Sequence, residues 1–271
     1  MTRVKSWDPV IAVLSLICLL FVLVAVFAPL IAPYPPSQTD ILSASMGPSA
    51  EHLLGTDSTG RDILSRLVYG TRLSLLGPAL VILVASTTAI TLSLSAVWIG
   101  GRYDQFVARL LNLLFSFPAL ILAIVVVAVL GTGVVGPSVA LAIGFTPYIA
   151  RVLRSVARRE RHLPYVEACQ LLGMSGWRIC LRHLLPNLLP IIRANLTISF
   201  GTALVDLAAI SYLGLGVQPP AAEWGLMVST GQSDLIAGKP WETISAGIAI
   251  VVVVIVVNSL GERMTQRAAA R

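Results

Sequence analysis

Gly55 to Asp62, GTDSTGRD, carries two glycines separated by four residues, the opening of a phosphate-binding loop. Such a loop cradles phosphate on backbone N–H groups and closes with Lys and then Ser or Thr, which reach the terminal phosphates and a magnesium ion. Here Arg61 stands in place of the Lys and Asp62 in place of the hydroxyl. A carboxylate at that point repels phosphate, so no nucleotide site is expected. Three histidines, His52, His162 and His183, fall in separate connections, with no HExxH and no Ser-His-Asp arrangement. Cys18, Cys169 and Cys180 form no CxxC pair and read as small apolar residues. No metal ligands and no catalytic residues are assigned, so a nucleotide-driven process would use an ATPase on another chain.

The richest polar stretch is Tyr165 to Pro190, YVEACQLLGMSGWRICLRHLLPNLLP. Pro164 suits the first turn of a helix, where a missing N–H costs nothing. Tyr165, Ala168, Cys169 and Leu172 then share one helical face, while Glu167 and Gln170 point elsewhere. Gly173 is placed to stop that helix in the left-handed conformation. Ser175 is placed to cap a second helix running through Trp177 and Arg182, and Pro186 and Pro190 mark the entry to the next apolar segment. Two short helices around a glycine hinge fit a groove on a partner protein. They equally fit a basic interfacial segment on anionic lipid.

These residues are positioned by apolar segments. The chain has 271 residues, 56% hydrophobic and 12% charged, against roughly 25% charged in soluble domains. Six runs approach the ~20 residues that cross a bilayer: about Val10 to Ile31, Leu73 to Ile99, Phe106 to Leu130, Pro137 to Val152, Leu188 to Leu213 and Ile244 to Leu260. The first resembles a signal peptide but is longer than the usual ~7–15 residue core and lacks an A-x-A site, so it reads as an uncleaved span.

The net charge of +6 is not a nucleic-acid stripe; it follows the membrane. With the N-terminus inside, Arg3, Lys5, Arg102, Arg109, the eight arginines from Arg151 to Arg193, Arg263, Arg267 and Arg271 lie on the inner side. Only Arg61, Arg66, Arg72 and Lys239 lie outside. Positive connections stay cytoplasmic, so both termini are expected there. Ile63, Leu64, Leu67 and Val68 recur at helical spacing, which fits either a short helix on the outer surface or simple loop packing. Pro78, Pro118 and Pro147 fall inside the expected spans and suggest bent helices. No internal repeat is visible.

The Tyr165 segment resembles the EAA loop of ATP-binding-cassette importer permeases, EAA-x3-G-x9-I-x-L-P. Glu167, Ala168, Cys169, Gly173, Leu185 and Pro186 fall at the matching positions, with Cys169 for the second Ala and His183 for the Ile. HLLGTDSTGRDILSRLVYGTRLSL and SYLGLGVQPPAAEWG look like stretches of the C-type subunits of dipeptide, oligopeptide and nickel permeases. The resemblance implies an all-α inner-membrane protein of a bacterial cell with the type I importer fold and six transmembrane helices. Residues 1–72 would form an N-terminal span with a long extracytoplasmic loop. Residues 73–271 would form a five-helix core with the coupling loop at about 158–187.

It also implies the partners: a homologous permease subunit, one or two ATPase subunits carrying ATP and magnesium, and an extracytoplasmic substrate-binding protein. The chain itself binds no cofactor and no nucleic acid. By carry-over, Glu167, Ala168, Cys169 and Gly173 form the coupling helix, with Leu171, Leu172 and Met174 as apolar contacts and Pro186 closing the motif. Asn112 stands where an Asp is expected in many relatives, which removes a charge from a possible pathway position. Asp206 is an acid in the outer half of the fifth span; it either lines the pathway, contacting a peptide amine, or pairs structurally near the outer interface. Dipeptides or oligopeptides are the first expectation for the cargo, with nickel or another small chelate as the alternative. A self-sufficient channel or ion-coupled carrier would need more polar residues along its spans.

Overall fold

The computed structural model describes residues 9–269; Arg3, Lys5 and Arg271, used above for orientation, lie outside them. The elements are α1 (Pro9–Val26), α2 (Ala28–Ile31), a 3-10 turn (Ile41–Ser43), α3 (Ile63–Ile99), α4 (Gly101–Phe115), α5 (Ala119–Leu130) and α6 (Val135–Arg161). After them come α7 (Pro164–Leu171), α8 (Gly176–Ile179), a π turn (Cys180–Leu184), α9 (Leu185–Tyr212), α10 (Trp224–Thr230), α11 (Gln232–Ile236) and α12 (Trp241–Ala269). Among the described residues the only strand-like feature is one bridge between Thr56 and Asp62. Five helical segments are long and apolar enough to cross a membrane, beginning at Pro9, Ile63, Val135, Gly176 and Trp241, and Ile121–Leu130 is a shorter apolar helix.

Three boundaries differ from the sequence reading. The helix starting at Ile63 is not a separate surface element: it is the first turns of α3, which runs unbroken to Ile99, so a division at residue 72 falls inside a helix. Asp62 sets its start by accepting from Ser65 N at 2.7 Å. The third apolar run is divided at Ser116 to Pro118. Proline lacks the N–H that would continue the ladder and pushes the residue before it out of the α region, so Pro118 caps α5 instead of bending a longer helix. The second short helix expected after Gly173 does not end before the next apolar run; α8, the π turn and α9 form one continuous segment to Tyr212.

The core lies where α3, α6 and α9 meet. Ala85, Ala89 and Ala96 of α3 are buried with Ala140, Ala150 and Ala157 of α6. Lipid tails are as apolar as leucine, so helices in a bilayer associate through small residues that allow close approach and through hydrogen bonds between helices. Ser93 Oγ supplies one, donating to Ala150 O at 3.0 Å. A second cluster, including Ile63, Leu204, Trp224 and Met227, seals the end near α10. Along α1, Val13, Leu16 and Leu20 are more than half exposed, as expected for a face in contact with hydrocarbon.

The α10 end is closed by a polar layer. Arg66, only 1% exposed, lies 3.5 Å from Asp57 Oδ2 and donates to Pro36 O at 3.3 Å and Pro220 O at 3.4 Å. One side chain therefore joins the segment after α1 to the connection before α10. The phosphate-loop-like stretch belongs to this layer: Asp57 Oδ1 accepts from Thr59 N at 2.8 Å and Arg61 N at 2.9 Å. Those amides are turned onto an internal carboxylate, and the spacing of Gly55 and Gly60 reflects left-handed turns at φ 81° and 77°.

Candidate functional site

At the opposite end, α6 emerges from the bundle and turns at His162 into α7. Pro164 occupies the first turn of α7, as the sequence predicts. The helix is held at its start. Tyr165 Oη donates to Glu160 Oε2 on α6 at 2.8 Å and accepts from Asn187 Nδ2 on α9 at 3.2 Å, while Val166 is fully buried. Burial, and after it the Glu160 carboxylate, push the Tyr165 phenol up to about 12, so it remains a protonated donor.

The inward face of α7 is therefore Tyr165, Val166 and Cys169, the first and last packing against the main core. The predicted face differs at two positions: Ala168 is exposed, and Leu172 lies beyond the last helical residue and is exposed as well. Gly173 ends the helix at φ 73°. Its N–H reaches Gln170 O at 2.9 Å, and Met174 N–H reaches Cys169 O at 3.1 Å. That pair of bonds is the Schellman stop, which a left-handed glycine makes without steric penalty.

The segment then passes Ser175, whose backbone is extended but whose side chain makes no capping bond. Gly176 follows against the Trp98 indole of α3, where a Cβ would overlap the ring. Arg161 lies over the same indole at 5.4 Å and donates to Val97 O. From Gly176 the helix enters the π turn, in which Leu185 N–H reaches back to Cys180 O. Leu185 is partly buried against the core and Pro186 is exposed in the first turn of α9.

The result is a rigid base with an apolar crest. Leu171 and Leu172 are 89% and 79% exposed; Glu167 is exposed beside them, while Met174 turns inward onto the core. The base is braced by α4, whose Asp104 is buried between α4 and α6. Its carboxylate accepts from Arg154 Nε at 2.6 Å and from Arg158, and the Arg154 hydrogen bond is the main reason its pKa lies below the usual carboxylate range.

The other two candidate residues lie apart from this base and from each other. Asn112 is on α4, where its Oδ1 accepts from Arg151 Nη2 at 3.2 Å. Asp206 lines a cavity of about 260 Å³ between α6 and α9 and forms no ion pair or hydrogen bond among the described residues. Tyr165, Asn187, Trp98 and Gly176 hold the loop in place. Sequence reasoning left their roles unassigned because contacts between α3, α6, α7 and α9 carry no short-range pattern; a glycine at the first helical position after Ser175 was the one available signal.

A family model described as the inner membrane component of binding-protein-dependent transport systems matches residues 82–271. The chain belongs to this family. The N-terminal transmembrane domain of oligopeptide transport permease C matches residues 10–48. Over 89% of its length this inner membrane component is 38% identical to the dipeptide transport system permease protein of Alkalihalophilus pseudofirmus, covering 79% of that relative. It is 36% identical to the glutathione transport system permease protein of Pectobacterium atrosepticum, over 92% of this chain and 82% of that one. Its fold matches a chain from inward-facing structures of the MetNI methionine transporter, with a TM-score of 0.57 at 20% identity, over 76% of this chain and 97% of that one. The protein is thus a multi-pass permease subunit of a bacterial inner membrane, and the family implies ATPase, substrate-binding and permease partners.

Proposed function

We propose that this chain and a homologous permease subunit form the pathway of an ATP-driven importer for dipeptides and short oligopeptides, with Glu167 to Gly173 as its contact with an ATPase subunit. The exposed crest of Leu171 and Leu172 on an immobilised base carries this reading. Large apolar side chains left in water cost free energy that a hydrophobic groove on a partner recovers, and a braced base transmits the partner's motion instead of absorbing it. Orienting the arginine-rich end toward the cytoplasm follows from the charge asymmetry and places the crest where ATP is available.

Hydrolysis, with its ATP and magnesium, belongs to the partner. Closure of the ATPase dimer moves the crest, and the attached helices alter access to the pathway. A peptide cargo is supported by the names of the relatives, which include dipeptide and glutathione permeases. Replacing Leu171 and Leu172 together with Asp, in the complete importer, should lower binding-protein-stimulated ATP hydrolysis about tenfold, the loss of a buried anchor pair, while leaving membrane insertion intact. Full stimulation in that variant would remove the crest from the contact. Uptake of a labelled dipeptide by the reconstituted complex tests the cargo.

A further inference from the structure

Asp206, Ser199 and Thr202 lie at spacings that bring them to one face of α9, and that face forms one wall of the roughly 260 Å³ cavity; Phe145 and Tyr148 of α6 and Phe115 at the end of α4 line it as well. Two polar groups here have no partner among the described residues. The Asp206 carboxylate makes no hydrogen bond or ion pair, and Ser199 Oγ, on a residue only 2% exposed, has no hydrogen-bond partner. The Thr202 hydroxyl donates to Ile198 O at 3.4 Å. Arg151, three residues beyond Tyr148, lies over the Phe115 ring at 4.4 Å and donates to Asn112, and among the described residues no cation pairs with Asp206. An uncompensated acid six residues before the end of a spanning helix is costly unless something else supplies the charge.

We propose that this cavity is a subsite for a primary ammonium group, the group an unblocked peptide carries at its N-terminus unless proline stands first. Asp206 supplies the counter-charge, Ser199 Oγ accepts one ammonium hydrogen, and the aromatic side chains provide the electron-rich surface that favours cations. The subsite deepens the peptide-importer reading and rests on it for the source of the ammonium.

Two measurements on the complete importer test it. In a background with Cys18, Cys169 and Cys180 replaced by alanine, Thr202→Cys should react faster with a cationic aminoethyl thiosulfonate reagent than with an anionic sulfonatoethyl one. Adding Asp206→Asn should reduce that ratio about fivefold, the effect of removing one nearby charge. An unchanged ratio, or no reaction with either reagent because a partner subunit covers Thr202, overturns the subsite. In the second, ATP-dependent uptake of dialanine should fall about tenfold in Asp206→Asn and recover most of its rate in Asp206→Glu; equal uptake by Asp206→Asn and the unmodified complex also overturns it. Failure of the unmodified complex to take up dialanine removes the peptide reading alone, since the reagent ratio does not depend on cargo.

Discussion

Gly173 is the residue whose chemistry is least replaceable in the crest. Its φ of 73° and the two Schellman bonds demand the left-handed region, which costs an ordinary side chain about 1–2 kcal/mol and a β-branched one more. Space does not decide the matter, because a Cβ added there would meet nothing. Gly173→Val should therefore insert and assemble normally yet lose most coupled transport, whereas Gly173→Asn, a residue that tolerates this conformation, should retain most of it. Uptake and stimulated ATP hydrolysis measured on the same preparation make the comparison. Normal coupling in the valine variant would show that the turn between α7 and α8 is not mechanically important.

Among the elements, α4 has the role least expected from its composition. The apolar run from Phe106 to Leu130 read as one span, but Pro118 ends it, leaving α4 as a brace pinned to α6 through Asp104, Arg154 and Arg158. Because the folded Asp104 has a lower pKa than an unfolded Asp, its stabilisation is present at neutral pH. That contribution begins to fade near the ordinary value of about 3.9 and is lost as pH falls through the lower folded value. Asp104→Asn should cost about 2 kcal/mol, a charge-assisted hydrogen bond of this kind, seen as a lower thermal midpoint in detergent. The gap from the unmodified protein should stay constant from pH 8 to 5 and close below about pH 4; a gap that closes by pH 6 would assign the effect to another group. The helical spans, the proline at the start of α7 and the glycine stop were all legible in the sequence, since each rests on local composition or a backbone requirement. The brace, the Tyr165 anchor and the unpaired state of Asp206 were not, because each depends on which distant helix lies opposite.

At the scale of the whole molecule, the two ends are built for different tasks. The arginine-rich end presents an apolar crest on a braced base; the α10 end is a closed polar layer in which Arg66 ties the connection at Pro36 to the one at Pro220, 154 residues further along the chain than Arg66 itself. Arg66→Ala leaves Asp57 buried without that partner, which should cost about 3–5 kcal/mol. It should loosen the connection before α10 to limited proteolysis without preventing membrane insertion; unchanged protease resistance would mean the layer is held elsewhere. Between the ends runs the continuous segment from Gly176 to Tyr212, about 55 Å long at ~1.5 Å per residue. Its π turn is equivalent to one added residue in an α-helix, so the angular setting of everything beyond it depends on residue number as well as side-chain chemistry. Inserting or deleting a single residue between the π turn and Asp206 would rotate the Asp206 face by about 100° relative to the crest, aiming a chemically unchanged carboxylate away from its cavity.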